Sequence, residues 1–177
     1  MALSKWALDP THSGVDFTIK HMMFSKVRGS FKSFDAAIEA DPSDLTTASI
    51  SFSVDLASVN TNNDDRDNHL RSADFFDVEN HPKLTFVATK IEKSDDGEYS
   101  VTGDLSLHGV TRSETFQVEF EGEGKDPWGN TKAGFHASGT LNRSDYGLTW
   151  NAALEAGGFL VGDEVKVEIE IQAVKQA

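Results

Sequence analysis

The chain of 177 residues is 38% hydrophobic and 25% charged, which suits a globular protein with one core. It contains no cysteine, so disulfides, thiolate metal sites and cysteine nucleophiles are excluded. A formal net charge of −13 repels phosphate backbones, and nucleic acid is therefore not an expected partner.

The beginning of the chain, MALSKWALDP, lacks the apolar segment of a signal peptide. No apolar run approaches the ~20 residues that a membrane-spanning helix needs. The sequence therefore predicts a cytoplasmic protein with no integral membrane segment, formed by a single domain over residues 1–177.

Alternation of apolar and polar residues is the dominant pattern along the chain. The runs begin with Val15–Ile19 and end with Val165–Ile171, and turn residues such as those of Asp95–Gly97 separate them. Seven or eight such runs predict an antiparallel sheet with one apolar face. A sheet of this size buries that face either by closing into a barrel or by splitting into a sandwich.

One stretch, NTNNDDRDNHLRSADFFDVENHP from Asn60 to Pro82, interrupts the alternation. Asn62 or Asn63 can cap a helix whose first turn is rich in aspartate. On that helix Asp67 and Arg71 are spaced closely enough to form an ion pair. The stretch therefore predicts a short helix between two strands, in a position that commonly covers one end of a barrel.

The acidic start of this stretch does not have the ligand spacing of a calcium loop. Counted from Asn60, Asp65 stands where an EF-hand needs glycine, and Arg71 stands where it needs glutamate. No histidine has the spacing of a zinc protease motif or a zinc finger, although distant histidines can still converge in a barrel. The histidines are His12, His21, His69, His81, His108 and His136.

The sequence has no nucleophile elbow and no phosphate-binding loop. Asp67 and His69 are a candidate acid–base pair, but residues two apart on a helix point in different directions. We therefore expect a protein that is not an enzyme, with no cofactor and no catalytic or metal residues. A hydrolase or metal-dependent protein that uses Asp67, His69 and other histidines is the alternative.

Two apolar segments favour a ligand cavity over a filled core. The segment His21–Phe24 follows a strand directly, and its two methionines suit variable apolar partners. The segment Gly157–Gly162 is an apolar loop flanked by glycines. Basic residues around the first segment, which can meet an anionic headgroup or pair with nearby acidic residues, are Lys20, Lys26, Arg28 and Lys32.

Seven motifs occur in an order that is typical of one family. They are WxLDPxHS (Trp6–Ser13), FTIKHMMFSKVRGSF (Phe17–Phe31), NTx4RDxHLRSxDFFD (Asn60–Asp77), HPKLTF (His81–Phe86), GDLSLHGVTR (Gly103–Arg112), NRSDYG (Asn142–Gly147) and VGDEV (Val161–Val165). With these motifs the chain resembles the YceI-like proteins, lipocalin-like polyisoprenoid-binding proteins of bacteria. The resemblance extends from Trp6 to about Ile171.

The resemblance implies an all-β fold, an eight-stranded antiparallel lipocalin-like β-barrel with a short helix near one end. It also implies an apolar tunnel for an isoprenoid-type lipid, such as a polyprenyl phosphate, a quinone or a fatty acid derivative. We expect a carrier, storage or sequestering protein for such a lipid. A stress-related scaffold with a filled core and no ligand is a further alternative, and the sequence leaves open a homodimer.

Inward alternation and motif position predict the residues that contact this ligand. The predicted wall residues are Phe17, Ile19, Met22, Phe24, Phe31, Phe75, Phe76, Phe86, Leu105, Phe135 and Phe159. The predicted headgroup residues are His21, Arg28, Arg66 and His69.

Overall fold

The computed structural model describes residues 3–22, 24–152, 154 and 160–176, which form eleven β-strands, one α-helix and four short 3-10 helices. The strands are β1 (Ser4–Leu8), β2 (Gly14–His21), β3 (Ser25–Phe31), β4 (Phe34–Ala40), β5 (Ser49–Asp55), β6 (Val59–Asn60), β7 (Lys83–Asp95), β8 (Glu98–Leu107), β9 (Val110–Lys125), β10 (Thr131–Asn142) and β11 (Val161–Lys175). The helix α1 spans Asp64–Arg71. Among these residues, no helix is long and apolar enough to cross a membrane.

Eight of the strands close into a barrel. Their order is β1-β4-β5-β7-β8-β9-β10-β11, and β11 pairs back onto β1. All of these pairings are antiparallel. The strands β2, β3 and β6 branch from the part of β11 that β1 does not reach. The predicted eight-stranded antiparallel barrel with one short helix is confirmed.

The alternation in the sequence becomes the two faces of the barrel wall. Successive side chains of a strand point to opposite faces, so one set faces the interior of a closed sheet. In β11, Val165, Val167 and Ile169 face the interior, while Lys166 and Glu168 are exposed on the outside. The order of residues along each strand therefore decides which side chains can meet a ligand in the barrel.

A glycine on β10 makes room for a large ring inside the barrel. A Cβ atom at Gly139 would lie 2.6 Å from Cδ1 of Phe116, closer than real Cβ contacts. Because glycine lacks that atom, the Phe116 ring can lie against Gly139 on the neighbouring strand. The absent side chain thus lets an aromatic ring pack on the wall instead of projecting further into the interior.

The two ends of the barrel differ. At one end, called the Trp6 end, Trp6, Leu45 and Tyr99 are buried, and the Trp6 indole N–H donates to the carbonyl of Ala40 at 3.3 Å. The other end, called the helix end, carries α1, the β2–β3 turn and the β8–β9 turn. The described residues 143–152 and Leu160, which lie between β10 and β11, are also at the helix end.

The helix α1 is capped as the sequence predicts, but its predicted ion pair is wrong. The Asn63 side chain accepts from the backbone N–H of Arg66 at 3.0 Å. Asp67 is buried and accepts from both the N–H and the hydroxyl of Thr61, at 2.8 and 2.6 Å. Arg71 donates instead to backbone carbonyls of the preceding segment and to the Asn68 side chain. Asp67 therefore anchors the helix rather than facing solvent.

Candidate ligand-binding cavity

An apolar cavity of about 360 Å³ lies inside the barrel. Small-molecule sites in proteins commonly have volumes of about 300–1,000 Å³, so this cavity is large enough for one ligand. Its lining includes Leu45 and Tyr99 at the Trp6 end as well as His69 and Trp150 at the helix end. The cavity therefore extends along the barrel, and the filled core that was one alternative does not describe this interior.

Most of the predicted wall residues line the cavity. They come from opposite sides of the barrel, because β2 and β3 carry some of them while β7, β8 and β10 carry others. The predicted residues that the structure brings together around the cavity are Phe17, Ile19, His21, Phe31, Arg66, His69, Phe75, Phe76, Phe86, Leu105 and Phe135.

Three predicted residues do not line the cavity, because they lie past the end of β2 or on the outer face of β3. Met22 and Phe24 lie in the β2–β3 turn, where the Phe24 side chain is 83% exposed. Arg28 follows Val27, which does line the cavity, so Arg28 points to the outer face and is exposed. Phe159 lies outside the described residues, together with Gly157 and Gly158 of the glycine-flanked loop.

Three aromatic rings pack together at the helix end of the cavity. The ring centroid of His69 lies 4.7 Å from that of Trp150 and 5.0 Å from that of Phe75, and Phe75 lies 5.3 Å from Trp150. Nε2 of His69 lies 2.9 Å from a carboxylate oxygen of the exposed Asp74. All three rings line the cavity, and the cluster joins α1 to the segment before β11.

Arg66 lines the cavity and has unused hydrogen-bonding capacity. Its Nε donates to the hydroxyl of Thr61 at 2.7 Å, and one terminal nitrogen donates to the Thr61 carbonyl at 2.8 Å. A guanidinium has five N–H donors, so three donors have no protein partner among the described residues. A guanidinium held on one side and free on the other is suited to binding an anionic group.

Arg143 also lines the cavity, but it serves as a brace. It is buried, and it donates to the carbonyls of Leu148 and Trp150 on one side and of Val161 and Gly162 on the other. Burial lowers the pKa of its guanidinium from the ordinary value, and the carboxylate of Asp163 opposes that shift. Sequence reasoning did not select Arg143, although it stands in the NRSDYG motif.

The predicted pair of Asp67 and His69 does not form a catalytic arrangement. Asp67 is bonded to Thr61, and His69 is bonded to Asp74. Each side chain thus has a separate structural partner, as the i,i+2 spacing on a helix leads one to expect.

Comparison with known proteins identifies relatives of the whole chain. The model of the YceI-like domain family matches residues 6–173. A UPF0312 protein of Staphylococcus epidermidis is 46% identical over 167 residues, which cover 94% of this chain and 95% of the relative. A UPF0312 protein of Staphylococcus aureus is 43% identical over the same proportions of both chains.

Solved structures share the fold. The YCEI protein of Campylobacter jejuni has a TM-score of 0.76 at 33% identity and covers 89% of this chain and 90% of its own. BcnA of Burkholderia cenocepacia has a TM-score of 0.82 at 24% identity, covering 93% of this chain and 98% of its own. A polyisoprenoid binding domain from Saccharophagus degradans has a TM-score of 0.70 at 17% identity, covering 98% and 99%.

Proposed function

Because the chain belongs to the YceI-like family, we propose that it binds one long-chain lipid, of isoprenoid or similar type, inside the barrel. The observation that carries this proposal is the apolar cavity of about 360 Å³ that extends along the barrel interior. The description of the Saccharophagus degradans domain as polyisoprenoid binding agrees with this ligand class. We propose that the protein acts as a carrier, store or sequestering protein and performs no catalysis.

The energetics of such binding follow from the wall. Burying one methylene group stabilises a complex by ~0.8 kcal/mol, so about ten buried methylenes contribute about 8 kcal/mol. This gain is large enough to offset the entropy that a lipid loses on binding. Because each further methylene adds to the gain, affinity should rise with chain length. Because the wall is almost entirely apolar, it distinguishes lipid chains mainly by their length and width. Specificity for the headgroup comes from the few polar groups of the cavity.

The ligand is proposed to enter with its polar headgroup at the helix end. The Trp6 end is filled by buried side chains, whereas Lys20, His21, Arg66 and His69 line the cavity near the helix end. Arg66 has three unused donors, and a phosphate or carboxylate headgroup would satisfy them. The proposed ligand is therefore an amphiphile with an apolar chain and an anionic or hydrogen-bonding head.

Native mass spectrometry with defined lipids tests this function. The purified protein is incubated separately with a polyprenyl phosphate, a quinone and a fatty acid, each offered in several chain lengths. The proposal expects a one-to-one complex whose stability rises with chain length up to a limit that the cavity sets. Absence of a one-to-one complex with all three classes would contradict the proposal.

A further inference from the structure

We propose that Asp77, His81 and His108 form a site for a divalent transition-metal ion of the Zn²⁺ type at the helix end. One ligand atom from each of these residues lies within 4.8 Å of the other two, and all three residues are half-buried. None of the three lines the cavity, so the site is separate from the proposed lipid site.

The fold brings together residues that are far apart in the sequence. Asp77 and His81 belong to the segment between α1 and β7, and His108 belongs to the β8–β9 turn. The strands β7 and β8 are antiparallel, so the start of β7 lies beside the end of β8. His81, two residues before β7, and His108, directly after β8, therefore meet, and their ring centroids lie 5.0 Å apart.

The hydrogen bonds leave at least one nitrogen of each histidine free for a metal. Nδ1 of His108 lies 3.0 Å from the carbonyl oxygen of Tyr146. A carbonyl can only accept, so Nδ1 carries the proton and Nε2 keeps its lone pair. Within the described part of the chain, His81 has no hydrogen bond from its ring. Ligating histidines commonly bind the metal through one nitrogen while the other donates to a carbonyl, as His108 does here.

The third ligand is also held by an outer partner. The Asn80 side-chain amide donates to both carboxylate oxygens of Asp77, at 3.2 and 3.0 Å. This arrangement fixes the carboxylate and leaves its outer lone pairs available. Asn80 therefore has the role of a positioning residue for the proposed ligand Asp77.

The backbone is shaped around this cluster. Asp77 has φ of 50° and His108 has φ of 55°, the left-handed conformation that residues other than glycine seldom adopt. A Cβ atom at Gly109 would lie 2.9 Å from Cε1 of His81, so the glycine is needed for the imidazole to lie where it does. The conformations of the two ligands and the space left by the glycine bring the donors to within 4.8 Å of one another.

The donor set selects the class of ion. Imidazole ligands suit Zn²⁺, Co²⁺, Ni²⁺ and Fe²⁺, while Mg²⁺ and Ca²⁺ prefer sites built from oxygen alone. Bonds of 2.0–2.1 Å in a tetrahedral zinc site separate the ligand atoms by about 3.3 Å. The atoms here are spread over up to 4.8 Å, so binding would draw the segment before β7 and the β8–β9 turn together. Three protein ligands leave one position for water.

Metal binding would also steady part of the cavity wall. Phe75 and Phe76 line the cavity and immediately precede Asp77. An ion that ties Asp77 to the β8–β9 turn restrains the segment that carries both rings. Hydrogen exchange of residues 72–82 should therefore slow when Zn²⁺ is bound.

Calorimetric titration with Zn²⁺ in the presence of excess Mg²⁺ tests the site, because Mg²⁺ competes for ordinary surface carboxylates. The expected result is one saturable ion per chain, and Co²⁺ should give the visible absorption of a tetrahedral complex. We expect H81Q and D77N to weaken Zn²⁺ binding more than ~100-fold and N80A to weaken it ~10–100-fold. H136Q is the matched control, since His136 contacts a carboxylate of Glu170 outside the site.

Circular dichroism verifies that each variant is folded. His81 has no hydrogen bond from its ring to the described residues, so H81Q should fold even if D77N does not. Failure to bind one saturable Zn²⁺ would overturn the proposal. Equal Zn²⁺ affinity of H81Q and the unaltered protein, or loss of binding in H136Q but not in H81Q, would overturn it as well.

Discussion

Val167 offers a direct way to fill the cavity without disturbing a polar contact. It lies in the middle of β11, lines the cavity, and pairs with Phe17 on one side and Gly139 on the other. Replacing it with tryptophan adds about seven heavy atoms that project into the interior. We expect V167W to fold, because the added surface is apolar and enters an existing void.

The expected loss of lipid affinity follows from the space that tryptophan takes. If the indole displaces about seven methylene groups of a bound chain, binding weakens by about 5–6 kcal/mol at ~0.8 kcal/mol each. If the chain shifts and only half of those contacts are lost, the effect is about 2–3 kcal/mol. At ~1.4 kcal/mol per tenfold change, the dissociation constant rises between about 100-fold and about 10,000-fold.

Isothermal titration calorimetry with a polyprenyl phosphate measures this change, and thermal unfolding measures stability in parallel. The matched control is K166W, which places the same side chain one residue earlier on the outer face. We expect V167W to lose lipid affinity while its unfolding midpoint stays level or rises, and K166W to bind normally. A V167W protein that is folded and binds lipid as the unaltered protein does would refute the assignment of the cavity as the lipid site.

Further predictions concern a headgroup, a buried carboxylate and a surface acid. R66M should weaken binding of a lipid phosphate about 10–100-fold, because hydrogen bonds to a charged group contribute ~1.5–3 kcal/mol. In the same calorimetric assay, binding of the matching neutral alcohol should not change. D67A leaves two donors of Thr61 buried without an acceptor. The loss should lower the free energy of unfolding by about 1–3 kcal/mol and the thermal midpoint by roughly 2–12 °C. An unchanged midpoint in D67A would contradict the anchoring role of Asp67. Partial desolvation of the exposed Glu121 carboxylate, and then the charge of Glu170, raise the pKa of Glu121 above its ordinary value. Ionisation of Glu121 therefore destabilises the folded protein. The destabilisation is absent at a pH below the ordinary pKa of the unfolded chain, and it grows as the pH rises through the raised pKa of the folded protein. E121Q should unfold at a higher temperature than the unaltered protein at about pH 8 and at the same temperature at about pH 3, and the opposite order would contradict the sign.

The strands could be predicted from the sequence because one face of each strand points to the apolar interior and the other points to solvent. The run Val165–Ile171 alternates along its whole length, and it forms the middle of β11 as predicted. The helix could be predicted because Asn63 and the aspartates after it match the requirements of a helix N-terminus. These are local signals, and local structure follows from them.

The facing of residues near a turn could not be predicted in the same way. The alternation that correctly places Phe17 and Ile19 on the interior face ends at His21, where β2 stops and the chain turns. Met22 and Phe24 continue the apolar pattern in the sequence, but in the structure they lie in the β2–β3 turn and are exposed. The position at which a strand ends cannot be predicted from the alternation of residue types alone.

The cavity and the histidine cluster depend on contacts between distant residues. Alternation predicts an apolar interior but cannot distinguish a filled core from a void, because the packing of rings such as Phe116 over Gly139 decides the difference. His81 and His108 meet only because the register of β7 and β8 brings their ends together. The buried bond between Asp67 and Thr61 likewise depends on how α1 returns toward β6.

Native mass spectrometry of protein purified from its own host tests the central claim most directly. We expect part of the protein to carry one lipid of several hundred daltons, whose extraction leaves the mass of the polypeptide alone. V167W purified in the same way should lack this lipid, while K166W should retain it. Protein that has the bare polypeptide mass, and keeps that mass after incubation with the host's total lipid extract, would contradict the account.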